Sequence, residues 1–296
     1  MKILRTLGVI LLVLVVSAAA GLLINRTNGK IVSSGETRRY LLHVPRNLDQ
    51  SEPVPLVITI HGFAQWPANH MSVSQWNPIA DREGFIVVYP SGTGFPKRWL
   101  AFPQQEFASS KDVMFISDLI DTLSAQYNID LSRIYVNGLS NGGGMTFLLG
   151  CELADRIAAT GTVAGAFVLP MEQCAASRPM PLIAFHGTAD PIVPFQGGPS
   201  RGFDLPFPYI PQWMAARAEL NDCGPTPLAL PANGEVNGVR YTGCLEDAEV
   251  IFYTIEGGGH TWPGGNPLPK SIAGYTSMDI SASETMWAFF EQYTLP

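Results

Sequence analysis

Short apolar runs alternate with amphipathic segments along most of this chain. Runs such as LVITI at residues 56–60 and FIVVY at residues 85–89 are mostly or wholly apolar, which is typical of strands buried on both faces of a parallel sheet. The same kind of pattern predicts strands at residues 38–44, 56–60, 85–89, 133–137, 160–164, 181–186 and 250–255.

The clearest helical pattern covers residues 112–127. Apolar side chains recur there at helical spacing from Ile116 to Tyr127 and share one face. Asp112 places a negative charge at the start of this helix, which suits the helix dipole. Further helices are predicted at residues 74–83, from residue 144 towards residue 151, at 212–220 and at 283–293. The alternation of strands and helices predicts an α/β fold with a mostly parallel central sheet and helices on both faces.

The N-terminal segment has the pattern of a targeting signal. Lys2 and Arg5 precede an apolar run at residues 7–16, and small residues with A-x-A spacing follow it. This predicts a signal peptide over residues 1–20 and a secreted or periplasmic protein. Because apolar character continues to about residue 24, an uncleaved membrane anchor is the alternative.

No linker divides the rest of the chain into independent domains. We therefore predict a single domain over residues 30–296. Residues 191–249 hold many Pro and Gly residues and one helix, so they are predicted to form a loop-rich excursion between two sheet strands.

Composition narrows the class of protein. Hydrophobic residues make up 46% of the 296 residues and charged residues 15%, and the formal net charge is −7. This composition supports a large core. An acidic chain without a basic cluster is not expected to bind nucleic acid. Nothing in the sequence predicts a stable protein partner or an oligomeric state.

The four cysteines fit an exported protein that contains disulfides. They allow three pairings. The sequential pairing, Cys151–Cys174 with Cys223–Cys244, is favoured because each pair flanks a loop-rich stretch, and buried free thiols are the alternative. The sequence has no Cys-x-x-Cys motif and no histidine cluster, so no metal site is predicted.

Residues 138–142 read GLSNG and match the G-x-S-x-G motif. The motif follows a predicted strand and precedes an apolar helix, which is the setting of a nucleophile elbow. There a sharp turn exposes the serine at the carboxyl edge of the sheet, with helix amides near developing negative charge. Ser140 is therefore the predicted nucleophile. A glycine-rich turn without chemistry is the alternative.

A serine nucleophile needs a base, and the base needs a carboxylate that orients it. In α/β-hydrolases these residues follow the serine in the order acid, then histidine. His260 and Asp190 each lie just after a predicted strand, where such folds place their sites. His260 is the predicted base and Asp190 the predicted orienting acid. His186 is too close to its strand end to act as a free base, so we predict a structural role for it.

Acyl transfer also needs donors for the oxyanion of the tetrahedral intermediate. The backbone N–H of Asn141, the residue after the nucleophile, is one predicted donor. The other is predicted in the loop after the strand LVITI, at Phe63, with Gly62 or Ala64 as alternatives. His61 is expected to support this loop rather than to act as a second base. Trp262 is a candidate substrate contact because it lies two residues after the predicted base.

Several segments together resemble the secreted poly(3-hydroxybutyrate) depolymerase and feruloyl esterase-like group of α/β-hydrolases, which is related to the first carbohydrate esterase family. These segments are RRYLLHVP, LVITIHGF, WNPIADREGFIVVYPSG, DVMFISDLIDTL, RIYVNGLSNGGGM, HGTADPIVPF and GGGHTWPGG. The resemblance implies the α/β-hydrolase fold, the triad of Ser140, Asp190 and His260, and the disulfides Cys151–Cys174 and Cys223–Cys244.

The resemblance implies an exported serine esterase without a cofactor. Its substrate would be an ester, polymeric or small: a hydroxybutyrate-type polyester oligomer, or a feruloyl or acyl ester of plant polysaccharide. The loop at residues 97–105 lacks the cysteines that the family often has there, so the preferred ester does not follow from the resemblance. The alternatives are a serine peptidase of the same fold and a non-catalytic binding protein on a hydrolase scaffold.

Overall fold

The computed structural model describes residues 26–101, 110–200 and 203–296. The predicted signal peptide or anchor, residues 1–24, lies outside these ranges. Within them, none of the helices combines the length and the apolar character that a membrane span requires.

The strands are β1 (Gly29–Ser33), β2 (Glu36–His43), β3 (Val54–Ile60), β4 (Ile86–Pro90), β5 (Ile129–Leu139), β6 (Ala159–Val163), β7 (Leu182–Gly187), β8 (Gly198–Ser200), β9 (Phe203–Phe207), β10 (Leu228–Asn233), β11 (Val236–Tyr241) and β12 (Val250–Ile255). The helices are α1 (Pro67–Ser74), α2 (Trp76–Glu83), α3 (Lys111–Ser124), α4 (Asn141–Glu152), α5 (Ile210–Leu220), α6 (Lys270–Ala273) and α7 (Ala282–Phe290). Short 3₁₀ turns occur at Met171–Gln173 and Leu245–Asp247.

Ten strands form one sheet in the order β1-β2-β4-β3-β5-β6-β7-β12-β11-β10. The six central strands, from β4 to β12, run parallel to one another, and an antiparallel pair of strands extends the sheet at each edge. The chain passes from β3 to β4 on one side and then returns to β5 on the other. The strand order therefore reverses between β3 and β5, where open α/β sheets form their ligand crevice.

Two apolar cores cover the two faces of the sheet. Neighbouring residues of β3 point to opposite faces, so Ile58 belongs to one core and Val57 to the other. Helices α3, α4 and α5 pack on the first face, and α1, α2 and α7 pack on the second. Both faces of the central strands are thus buried, as the short apolar runs predict. The predicted α/β-hydrolase architecture is confirmed.

The structure differs from the predicted elements in two places. The helix predicted at residues 74–83 corresponds to α2, which begins at Trp76, and the sequence did not predict α1 before it; the two helices meet at Gln75, which has φ 57°. Residues 191–249 contain more regular structure than a loop-rich excursion, because β10 and β11 lie within them and extend the main sheet.

Both cysteine pairs form disulfides. Cys151 at the end of α4 is bonded to Cys174 after the first 3₁₀ turn. Cys223 after α5 is bonded to Cys244 after β11. Each bridge therefore ties a helix end on one face of the sheet to a neighbouring connection.

Candidate active site

The turn between β5 and α4 holds Ser140 in a strained conformation. Its backbone has φ 57° and ψ −120°, a combination that costs on the order of 1–3 kcal/mol for a residue other than glycine. Hydrogen bonds fix this turn, from Ser140 N–H to Val163 O (2.9 Å) and from Ala166 N–H to Ser140 O (2.9 Å). The neighbouring strand and loop therefore maintain a geometry that the serine alone would avoid.

The two glycines of the motif are required by close backbone contacts. A Cβ on Gly138 would lie 2.4 Å from Gly142 O, and a Cβ on Gly142 would lie 2.2 Å from Ile60 O. The second contact brings the start of α4 against the end of β3. The serine turn and the loop after β3 are consequently packed together at the point where the strand order reverses.

His260 and Asp190 meet because their strands are paired in parallel. In the register of β7 with β12, His186 lies opposite Thr254, so the loops after both strands leave the same edge of the sheet. His260 Nδ1 lies 2.8 Å from Asp190 Oδ2, and both residues are buried. This hydrogen bond places a proton on Nδ1 and leaves Nε2 free of it, which is the tautomer that a general base needs.

The Asp190 carboxylate has a full set of partners. Oδ1 accepts hydrogen bonds from the N–H groups of Ile192 (2.8 Å) and Val193 (2.9 Å). Burial by itself raises the pKa of Asp190, but attraction to His260, the hydrogen bond from His260 and the nearby His186 outweigh this effect and lower the pKa below its ordinary value. Asp190 is therefore ionised at neutral pH.

His186 lies behind the acid. Its Nε2 is 2.9 Å from Val193 O and 3.4 Å from Asp190 Oδ2, and burial lowers its pKa. A neutral His186 that donates to Val193 O holds the turn of residues 190–193, which carries the carboxylate. This position agrees with the structural role predicted for it.

The loop after β3 carries the proposed second oxyanion donor. Gly62 N–H donates to the Gln65 side-chain oxygen (2.9 Å), and Ala64 N–H donates to Lys97 O (2.8 Å). Gly62 and Phe63 both border the same cavity as Ser140, and Phe63 remains the predicted donor.

Asn141 is the first residue of α4, where backbone N–H groups have no acceptor within the helix. Its side chain is engaged with a neighbouring segment: Oδ1 accepts from Trp99 N–H (2.7 Å), and Nδ2 donates to Trp99 O (3.1 Å). The carboxamide is therefore a fixed link between the serine turn and the Trp99 loop.

His61 is buried at the end of β3, beside the loop that it was expected to support. Its Nδ1 lies 2.7 Å from Gly62 O, and its Nε2 accepts from Gly92 N–H (2.9 Å). Burial lowers the pKa of His61 to about 4, so the ring is neutral at physiological pH. The sequence analysis missed the second of these contacts, through which His61 links the loop after β3 to the loop after β4.

A cavity of about 570 Å³ joins these residues. Ser140, His260, Phe63 and Asn141 all line it, and Asp190 lies behind His260. The remaining wall comes from residues that are mainly apolar: Gly62, Gln65, Leu139, Ala166, Val168, Pro191, Ile192, Val193, Phe207, Leu268, Pro269, Ser271, Ile272 and Ala273. Among the lining residues that the structure describes, none is Lys, Arg, Asp or Glu, so the cavity suits a neutral, largely apolar group.

The structure corrects the expectation for Trp262. Its side chain is 1% exposed and is absent from the described lining of the cavity. The indole Nε1 donates to Ser283 Oγ (3.0 Å), and the ring packs edge-on against His70. Trp262 is a core residue of the second face, because the chain turns away from the cavity within two residues of His260.

Among the residues that the structure describes, no cluster of His, Cys, Asp or Glu side chains could hold a metal ion.

The fold is that of an α/β-hydrolase, and the curated relatives that the chain resembles are named as esterases. Residues 39–196, which are more than half of the chain, match the family described as Esterase PHB depolymerase. The chain belongs to this family.

Two relatives and one solved structure illustrate the likeness. A bifunctional acetylxylan esterase/xylanase of Neocallimastix patriciarum, XynS20E, is 34% identical over 162 residues, which are 55% of this chain and 23% of that protein. Feruloyl esterase C of Emericella nidulans is 26% identical over 269 residues, covering 89% of this chain and 87% of that enzyme. The acetyl xylan esterase from Aspergillus awamori superposes with a TM-score of 0.62 over 88% of this chain and 98% of its own, at 17% identity, a likeness of fold.

The share of each relative that is matched varies widely. This chain spans 23%, 80% and 46% of the first three curated relatives that it matches. The likeness to the two longer relatives is therefore confined to part of their length.

Proposed function

We propose that this protein is an exported serine esterase in which Ser140 is the nucleophile, His260 the general base and Asp190 the acid that orients the base. The observation that carries the proposal is the 2.8 Å hydrogen bond between Asp190 and His260, beside a cavity that His260 and Ser140 both line. The strained turn at Ser140 supports it further, since backbone strain concentrates at functional sites.

In the proposed mechanism, Ser140 Oγ attacks the ester carbonyl while His260 Nε2 takes its proton. The backbone N–H groups of Phe63 and Asn141 bind the oxyanion that forms. His260 then gives the proton to the departing alcohol, and an acyl-enzyme remains on Ser140. A water molecule, activated by the same imidazole, releases the acid and regenerates the serine.

The nucleophile assignment is tested with Ser140→Ala and a nitrophenyl butyrate assay. We expect turnover to fall by at least about three orders of magnitude because the acyl-enzyme cannot form. Ser132→Ala is the matched control, since Ser132 lies in β5 outside the lining of the cavity. Wild-type turnover in Ser140→Ala would refute the assignment. An alkyl fluorophosphonate should label the wild-type serine, whereas a non-catalytic binding protein would not react.

We propose that the substrates are esters with a neutral, mainly apolar acyl group. The cavity of about 570 Å³ has a mainly apolar lining, which suits feruloyl groups, hydroxybutyrate-type oligomers and small acyl groups. A panel of feruloyl, hydroxybutyrate and acetyl-xylan esters distinguishes these three classes. A peptide amide in the same panel tests the alternative of a peptidase.

A pair of matched esters tests the apolar character of the cavity. Nitrophenyl butyrate and nitrophenyl hemisuccinate are similar in length, but the second carries a carboxylate at its end. We expect kcat/KM for the hemisuccinate to be at least about tenfold lower, because its charge would be buried without a partner. Equal values for the two esters would contradict the proposed acyl site.

Export is proposed from the pattern of residues 1–20 and is supported by the two disulfides, which persist in oxidising compartments. N-terminal sequencing of the protein recovered from its native host tests it. A mature chain beginning near residue 21 is expected. An intact N-terminus in the membrane fraction would support the anchor instead.

A further inference from the structure

The loop between β4 and α3 contacts both segments that carry the proposed oxyanion donors. We call residues 91–100 the support loop. Paired hydrogen bonds between Thr93 and Arg98 (3.0 and 2.9 Å) close it into a hairpin-like turn. At its far end, Trp99 is fully buried.

The support loop holds the segment after β3 at three points. Lys97 O accepts from Ala64 N–H (2.8 Å). The Trp99 indole donates to His61 O (3.0 Å), and Gly92 N–H donates to His61 Nε2 (2.9 Å). Phe63 lies between the two residues held in this way, so its backbone position depends on the support loop.

The same loop holds the start of α4. The Asn141 carboxamide forms two hydrogen bonds with the main chain of Trp99, at 2.7 and 3.1 Å. One tryptophan therefore contacts both proposed donor segments, through its indole on one side and its main chain on the other. Displacement of the loop would change the spacing between the two donors.

A buried ion pair closes the base of the support loop. Arg38 Nη2 lies 2.7 Å from Asp112 Oδ1 and donates to Ser91 O (3.4 Å). Asp112 Oδ2 accepts from Leu100 N–H (2.8 Å). Arg38 is 4% exposed and Asp112 0%. The pair thus bonds the first and the last residue of the loop, and neither of its members lines the cavity.

Stability alone is a weak reason for an ion pair at this buried position. Burying two charges is unfavourable, and a well-packed apolar pair is often as stable as a buried ion pair or more stable. An apolar pair could not bind a carbonyl at one end of a loop and an N–H group at the other. The geometry is therefore better explained by a requirement to fix the ends of the support loop.

We propose that Arg38 and Asp112 are positioning residues for the oxyanion site, acting through the support loop on Phe63 and Asn141. This inference rests on the proposed function, since it takes those two backbone N–H groups as the oxyanion donors. Arg38 and Asp112 contact no reacting atom. They set the distance between two donors that come from different strands.

The experiment compares kcat and KM for nitrophenyl butyrate in the wild type and in the double variant Arg38→Met with Asp112→Val. This variant removes both charges together, so that neither is left buried without its partner. We expect kcat to fall by about tenfold or more, because small displacements of catalytic groups have effects of this size. KM should stay within about twofold, since the acyl site is not touched.

Two further variants make the result specific. Asn141→Ala frees the other side of the support loop, so its effect on kcat should be much less than additive with that of the double variant. Asn221→Ala is the stability control. Asn221 is a buried carboxamide with main-chain hydrogen bonds to Met180 and Ala248, outside the cavity, so its loss should lower Tm and leave kcat unchanged.

If the double variant does not fold, Arg38→Lys replaces it. Lysine keeps the charge beside Asp112, but a single ammonium group cannot reproduce the arginine fork that also reaches Ser91 O, so kcat should still fall. Unchanged kcat in a folded variant, or strict additivity with Asn141→Ala, would overturn the proposal. Failure of the proposed function would show separately, as wild-type turnover in Ser140→Ala.

Discussion

Replacement of Asp190 by asparagine tests the proposed role of this residue with little change in shape. In the wild type, the N–H groups of Ile192 and Val193 lie 2.8 and 2.9 Å from Asp190 Oδ1. In Asp190→Asn the side-chain oxygen can still accept both of these hydrogen bonds. The amide nitrogen would take the place of Oδ2, at 2.8 Å from His260 Nδ1. The turn at residues 190–193 should therefore keep its conformation.

The tautomer of His260 should reverse. A carboxylate only accepts hydrogen bonds, whereas the new amide nitrogen only donates, so Nδ1 must become the acceptor. The ring proton then moves to Nε2, which can no longer take the proton of Ser140. A change of this kind in a serine triad lowers kcat on the order of 10⁴-fold, and this corresponds to about 5 kcal/mol in activation free energy.

The assay is kcat for nitrophenyl butyrate at neutral pH, with folding checked by circular dichroism. Asp130→Asn is the matched control. Asp130 also accepts from a backbone N–H two residues ahead, that of Ser132 (2.9 Å), but it is absent from the cavity lining. A kcat for Asp190→Asn within about tenfold of the wild type would refute the view that this carboxylate selects the tautomer of the base.

Two further predictions concern stability. Replacing Cys151 and Cys174 by Ala opens a loop with a sequence separation of 23, and the chain-entropy model predicts a loss of about 3 kcal/mol; urea unfolding measures it, and no loss would contradict the model. The second prediction concerns the pH dependence of stability and uses Asp190. Burial raises the pKa of this residue, but His260 and the hydrogen bonds lower it by more, so that the pKa lies below the ordinary 3.8. The contribution of its carboxylate is thus fully present above pH 3.8 and is lost as pH falls through the lower folded value. Urea unfolding from pH 6 downwards should show the difference between wild type and Asp190→Asn shrinking only on the acid side of about pH 4, and a constant difference would contradict this.

The central part of the fold follows from local pattern because both faces of its strands are buried. The run at residues 56–60 has no polar position except Thr59, and β3 is buried throughout. Edge strands lack this signal. Most of β10 is exposed and it contains Pro231, a residue that argues against a strand within a sheet, so the local sequence does not distinguish β10 from a loop.

The candidate site is predictable where chain order and strand ends determine it. Ser140, Asp190 and His260 each follow a strand of the parallel sheet, so their loops must leave one edge of it. Their catalytic roles remain predictions. The position of a side chain within a loop does not follow from sequence distance, and this is why the expectation for Trp262 was wrong.

Long-range polar contacts were also beyond the sequence analysis. Arg38 and Asp112 are 74 positions apart, and nothing in either local segment indicates a partner. The N-terminal position of Asp112 in α3 predicts an interaction with the helix dipole, which is a local effect. Its bond to Leu100 N–H depends on where the support loop folds back.

One wall of the cavity is formed by α6 and the residues just before it, and this wall also contacts His260. Leu268 and Ile272 border the cavity, while Ala273 O, in the same short helix as Ile272, accepts a hydrogen bond from His260 N–H (2.6 Å). Mutations that reshape this wall would therefore also act on the main chain of His260, the proposed base. Phe207, in β9, borders the cavity from a separate segment, so it is the better first position at which to alter the proposed acyl site.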